Sequence, residues 1–142
     1  MTIYILVFVE PDGIRTDRKY MDMLCAMYGY QLEYIDKTGD MDQRSGNVRS
    51  TLDQAWADSK FSGYTWVYFD GNNGTINLHD YRHPRDNVVY VIGSDFDGYN
   101  RSLVELNGDI LKLKTKNDST DLHAAGVVAA IVNHRYYQLE RI

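Results

Sequence analysis

Three short polar stretches follow apolar runs and carry residue types suited to a ligand site: Asp70-Gly71-Asn72-Asn73-Gly74, the GSDFDG stretch from Gly93 to Gly98, and TKNDS from Thr115 to Ser119. Glycine lets a ligand approach the backbone closely, which a side chain would prevent. None of the three is a phosphate cradle. There is no GxxxxGK[ST], and GSDFDG lacks the spacing of GxGxxG, so a nucleoside triphosphate or an NAD-type cofactor is disfavoured.

Other constellations are weaker. Ser119, Asp121 and His123 have the residue types of a hydrolytic triad, but on a helix residue i+2 points away from i and i+4. Capping of a helix start by Ser119 and Asp121 accounts for them better. His79, Asp80 and His83 in HDYRH offer metal-ligand atoms, yet no fourth ligand follows at a recognisable spacing, and no metal is expected. Lys112, Lys114 and Lys116 alternate in LKLKTK, so a strand would project all three to one side. Arg82 and Arg85 add a second basic spot. A local basic face and a plain solvated edge are both open readings of these cations.

The 142 residues suit one domain, 1–142, with a net charge of −5 that argues against coating nucleic acid by charge alone. Cys25 is the single cysteine, so no internal disulfide is possible, which fits a reducing, cytoplasmic setting. Its expected place is the apolar face of a helix. No stretch reaches the length of a membrane span, and the apolar start lacks the charge and cleavage pattern of a signal peptide.

Alternating strands and helices must position these loops. A continuous apolar run predicts a strand at 3–9, and YQLEYI (30–35), YTWVYF (64–69) and VVYVI (88–92) read as further strands, with DILKLK (109–114) a fifth. Tyr20, Met23, Leu24 and Met27 recur at helical period, and Gly29 is placed to end that helix. Further helices are expected near 48–58, after Asn100, and over 119–138, the last started by Asp118, Ser119 or Thr120. The pattern implies an α/β fold with a mostly parallel five-stranded sheet flanked by helices. Ligands of such sheets bind beyond the carboxyl ends of the strands, where the three loops emerge.

In this order the motifs resemble the SpoU–TrmH side of the SPOUT methyltransferases, which bind S-adenosylmethionine (SAM) and usually methylate RNA ribose 2′-hydroxyls. VVYVIGSDFDGY is similar to that family's strand and Gly-x-Glu loop. ILKLKT is similar to its Ile-x-Leu-Pro-Met strand, and STDLHAAGVVAAIV to its Ser-Leu-Asn helix start. IYILVFVEPDG and MLCAMYGYQLEYI resemble its opening strand, helix and second strand, so the likeness spans nearly the whole chain. The resemblance implies a C-terminal trefoil knot, a bent SAM held by three loops, an RNA substrate (tRNA or rRNA), a homodimer formed by the knot and terminal helices, and no membrane. Carried over by motif, Phe69, Asp70, Gly93, Ser94, Asp95, Gly98, Leu111, Leu113, Thr115, Ser119 and Leu122 would line the cofactor.

Two departures bear on catalysis. The family's Arg, six residues before a glycine on the first helix, is Met23 here, and its Asn place holds Tyr20. Arg15 and Arg18 lie just upstream as substitutes that would orient the hydroxyl, with Ser119 and Asp121 at the same mouth. Three readings follow: a SAM-dependent RNA 2′-O-methyltransferase, a non-catalytic relative that binds SAM or a partner, and an unrelated doubly wound domain whose loops match by chance.

Overall fold

The computed structural model describes residues 2–9, 15–36, 41, 46–93, 106–113 and 124–141, with 15–17 as backbone alone. In chain order the elements are β1 (Ile3–Phe8), α1 (Arg15–Tyr28), β2 (Gln31–Ile35), β3 (Val48–Arg49), α2 (Leu52–Ala57), β4 (Thr65–Phe69), β5 (Ile76–Asn77), β6 (Val88–Ile92), β7 (Asp109–Lys112) and α3 (Ala124–Arg135). They form one sheet in the order β3-β2-β1-β6-β4-β7-β5, and every pair is parallel.

Among the described residues the sheet therefore has seven strands, not the five expected. The five apolar runs are all strands. The additions, β3 and β5, are two residues each and lie at the two edges. Two residues are too few to show a period of two, so only their backbone pairing reveals them. The expected helix at 48–58 is correspondingly shorter: it begins after Thr51, whose side chain accepts from Gln54 N–H while the Gln54 side chain returns to the Thr51 amide. That reciprocal pair satisfies two otherwise orphaned amides.

Both faces of the sheet are covered, which explains the unbroken apolar runs. Ile3, Ile5, Val7, Val67, Phe69, Val88, Tyr90 and Ile92 face α1 and α3. Their neighbours Leu6, Phe8, Trp66, Tyr68, Val89 and Val91 face α2 and Phe61. The alternation follows the pleat. Glu33 is a buried acid among these strands, bonded to Arg49 and Lys60, so its charge is compensated on both carboxylate oxygens.

α1 differs from the expected amphipathic face. Met21 and Cys25 are buried with Leu24 half-buried, whereas Tyr20, Met23 and Met27 point outward. The apolar residues run around most of the helix, and packing selects the Met21–Cys25 line. Cys25 does pack inward, and Gly29 ends the helix at φ 75° as its place suggested.

α3 continues through a π-helical turn, Tyr136–Glu140. This turn swings Gln138 and Glu140 back onto the protein. Gln138 Nε2–H donates to Tyr81 O (2.7 Å), His83 N–H donates to Gln138 Oε1 (2.7 Å), and Tyr30 O–H donates to Glu140. Arg135, with 0% exposure, donates to the carbonyls of Pro84 and Arg85 and to the Tyr90 hydroxyl. The end of α3 is thereby tied to the segment that feeds β6. No described helix is long and apolar enough to cross a membrane.

Gly108 precedes β7 where the chain runs against β4, and a Cβ there would stand 1.8 Å from Trp66 O. At Gly126 on α3 a Cβ would meet nothing within 4 Å. Gly108→Ala is thus expected to destabilise by about 2 kcal/mol, the usual scale of overpacking. Gly126→Ala should stabilise the helix by roughly 1 kcal/mol. Urea unfolding of the two variants beside the parent checks both signs.

Candidate functional site

Because all strands are parallel, their carboxyl ends share one edge. There β6, β4 and β7 are adjacent: Ile92 pairs with Phe69, and Phe69 pairs with Leu111. At a strand spacing of about 4.8 Å, Gly93, Asp70 and the end of β7 fall within roughly 10 Å of one another. Five residues expected at a cofactor site, Phe69, Asp70, Gly93, Leu111 and Leu113, are brought together by register alone.

Their chemistry differs along the edge. Phe69 and Leu111 are core residues, 8% and 0% exposed, so their side chains belong to the sheet's interior and only their backbone reaches the rim. The Leu111 carbonyl accepts from Asp70 N–H (2.9 Å). Gly93 and Leu113 are half-buried at the ends of β6 and β7. A glycine at the end of the central strand leaves room for close approach to the backbone, and Leu113 packs partly against the core.

Asp70 organises the loop it begins. Its Oδ1 accepts from the amides of Asn72 (2.9 Å) and Asn73 (3.0 Å), and its carbonyl accepts from Gly74 N–H (2.9 Å). Thr75 N–H then donates to Ile110 O (2.9 Å) and leads into β5. Gly74 is required by contact: a Cβ would lie 2.4 Å from Leu111 O. The 70–74 loop is thus a preorganised rim beside β7.

The proposed catalytic arginines sit elsewhere on the edge. Arg15 opens α1, with its side chain outside the described atoms. Arg18 is half-buried one turn later, and its carbonyl faces the Tyr34 hydroxyl at 3.5 Å. Tyr34 belongs to β2, two strands from β6, and donates to Asp22 Oδ1 (2.9 Å). Burial and then the Asp22 carboxylate push this phenol well above its ordinary value. Met23, in the position of the family's arginine, is 56% exposed on the outer side of α1. Ser94, Asp95, Gly98, Thr115, Ser119, Asp121 and Leu122 lie outside the described residues, as do Lys114, Lys116, His123 and the segments 94–105 and 114–123 on which a knot depends.

The remaining candidates separate. His79 Nε2 lies 3.7 Å from Asp80 Oδ2 on the surface, while His83 turns inward to Tyr90 and His134. Among the described residues no three His, Cys, Asp or Glu side chains are grouped to hold a metal ion. Lys112 is half-buried on β7, and Arg82 and Arg85 are exposed before β6, at the opposite edge of the sheet. No motif marks Asp36, 1% exposed at the end of β2, whose Oδ2 accepts from Met41 N–H (2.7 Å). An acid closing an apolar strand was its only signal.

Asp70→Ala should loosen the rim at a cost of about 1 kcal/mol, whereas Asp70→Asn keeps an accepting oxygen and most of that stability. Chemical denaturation of the two variants distinguishes a turn-forming carboxylate from one whose charge is required.

No protein-family model matches the chain, and no curated protein does so by sequence. Solved structures do. A TrmH/SpoU tRNA modifying enzyme of A. aeolicus superposes with a TM-score of 0.75 at 14% identity, covering 96% of this chain and 74% of that one. A Bacillus anthracis protein ascribed to the RNA methyltransferases gives 0.74 at 15% identity and covers 98% of both chains. A protein solved for the 2-OH methylation of C/U34 on tRNA gives 0.67 at 16% identity, covering 97% and 91%. The chain shares the fold of these TrmH/SpoU-type structures.

Proposed function

We propose that the chain is a SAM-dependent methyltransferase acting on the ribose 2′-hydroxyl of a tRNA or rRNA in the cytoplasm. The convergence of Gly93, Asp70 and Leu113 at adjacent strand ends carries this reading, in a fold shared with RNA-modifying enzymes. The cofactor would lie against Gly93, the Asp70 rim and Leu113, with Phe69 and Leu111 contributing backbone. Ser94, Asp95, Gly98, Thr115, Ser119 and Leu122 complete the proposed pocket. SAM, when bound, supplies an electrophilic methyl group. The chain's own task is to exclude water, hold the ribose oxygen in line and stabilise it as its proton leaves. Arg15 and Arg18 are proposed for that oxygen, with Ser119 and Asp121 beside them.

The outward face of α1 supports a homodimer. Met27 is 73%, Met23 56% and Tyr20 46% exposed, and Tyr137, 55% exposed, follows at the end of α3. Tyr28 and Tyr136 stack edge-on between the two helices at 5.6 Å, making the patch continuous. A second copy covering it would remove this apolar surface from water. Replacing Met23 and Met27 together by Glu should convert a dimer to a monomer in sedimentation equilibrium, and an unchanged mass would refute this placement.

Met23 on that face also favours a second reading, a binding protein that has kept the fold without methyl transfer. Transfer of labelled methyl groups from SAM to bulk tRNA and rRNA separates the two. The enzyme reading predicts incorporation that falls by about 10²–10³ in Arg15→Ala or Arg18→Ala, the scale of losing one charge-stabilising group. Gly93→Val should abolish SAM binding with the fold retained by circular dichroism. SAM binding with no incorporation into any RNA would support the binding protein instead.

A further inference from the structure

At the edge opposite the candidate pocket, four polar side chains form a chain from the core to the surface. Arg135 Nη1 lies 3.1 Å from the Tyr90 hydroxyl, that hydroxyl 2.7 Å from His83 Nδ1, and His83 Nε2 2.8 Å from His134 Nδ1. Tyr90 and His83 are 1% and 5% exposed, while His134 is half-buried.

The proton positions follow from the chemistry of each group. A guanidinium only donates, so the Tyr90 oxygen accepts from Arg135 and its own hydrogen goes to His83 Nδ1. His83 must then carry its proton on Nε2 and donate it to His134 Nδ1, which leaves the His134 proton on its outer nitrogen. One tautomeric arrangement satisfies the Tyr90 hydroxyl and both ring nitrogens of His83. A proton added to His83 Nδ1 would meet the Tyr90 hydrogen, and the buried hydroxyl would lose its acceptor.

Titratable and charged groups flank the row. From α3 and the π-helical turn, Arg135 and Glu140 face the row, and Glu140 already lies 3.6 Å from Arg135 Nε and bonds Tyr30 from the start of β2. From the 81–86 segment come Tyr81, edge-on to His83 at 5.2 Å and bonded to Asp109 of β7 (2.8 Å), and the exposed Arg82, Arg85 and Asp86. Arg141 stacks on Tyr137 beyond the turn. Burial first, then His134 and Arg135, push the His83 imidazole down to about 3. Its folded value lies below the ordinary 6.5, so its contribution to stability is complete above 6.5 and is lost as pH falls toward about 3.

We propose that the Tyr90–His83–His134 row is an acid-sensitive clasp that fastens the end of α3 to residues 81–85 and releases when His83 takes up a proton. The segment it holds feeds β6, the strand that ends at Gly93. The clasp thus bears on one strand of the candidate pocket, yet it does not depend on what that pocket binds.

Hydrogen exchange of the full chain at pH 7.5 and 5.0, corrected for the intrinsic rate, measures the release. One histidine neutral when clasped and ordinary when open predicts opening roughly 30-fold more frequent at the lower pH. That rise should appear in peptides covering 81–87 and 133–141 and not in β1. A His83→Gln/His134→Asn variant, whose amides replace the rings without titrating, should open equally at both values. Nitrogen NMR of the parent at pH 7.5 should place the His83 proton on Nε2. An unchanged exchange rate, an equal rise in β1, an undiminished rise in the double variant, or a His83 proton on Nδ1 would each overturn the clasp.

Discussion

Burial of β6 on both faces is the constraint on which the rest of the structure depends. Its five residues, Val88 to Ile92, are all 2% exposed or less, and β1 and β4 pair with it on either side. A strand so enclosed cannot satisfy its backbone with water, so both neighbours must complete its hydrogen bonds. All three run parallel, so the connections must cross over the sheet rather than turn back at its edge. That requirement puts α1 and α3 on one face, α2 on the other, and every strand's carboxyl end along one rim.

The rim and the opposite edge divide the labour. At the carboxyl edge the glycines and the Asp70 turn leave backbone accessible between well-packed strands. At the other edge Arg135, Tyr90, His83, Gln138 and Glu140 bind the last helix to the 81–85 segment through paired polar groups. A fully buried guanidinium is tolerated because two carbonyls and a hydroxyl accept from it and a carboxylate lies nearby.

The sequence made the five long strands and the end of α1 at Gly29 legible, because continuous apolar runs and a helix-ending glycine are local signals. It could not show β3 and β5, whose two residues owe their conformation to pairing with β2 and β7. Nor could it show which side of α1 is buried, since Tyr20, Met21, Met23, Leu24 and Met27 are all apolar and only contact with β2 and α3 chooses Met21 and Cys25. Of the candidate site, the loop-forming residue types Asp70 and Gly93 were legible, whereas the adjacency of Phe69, Asp70, Gly93, Leu111 and Leu113 is set by strand register, which no local pattern encodes. Arg135 and His134 were hidden inside an apolar helix. Tyr90 in the middle of VVYVI was the available clue, because a buried phenol needs a partner.

Isothermal titration of the purified chain with SAM and with its demethylated product tests the central claim most directly, that adjacent strand ends at Gly93, Asp70 and Leu113 form a cofactor site. The account predicts saturable binding of both, one molecule per chain, in the micromolar range or tighter. Absence of saturable heat with either compound, from protein whose folding is verified on the same sample, would contradict it.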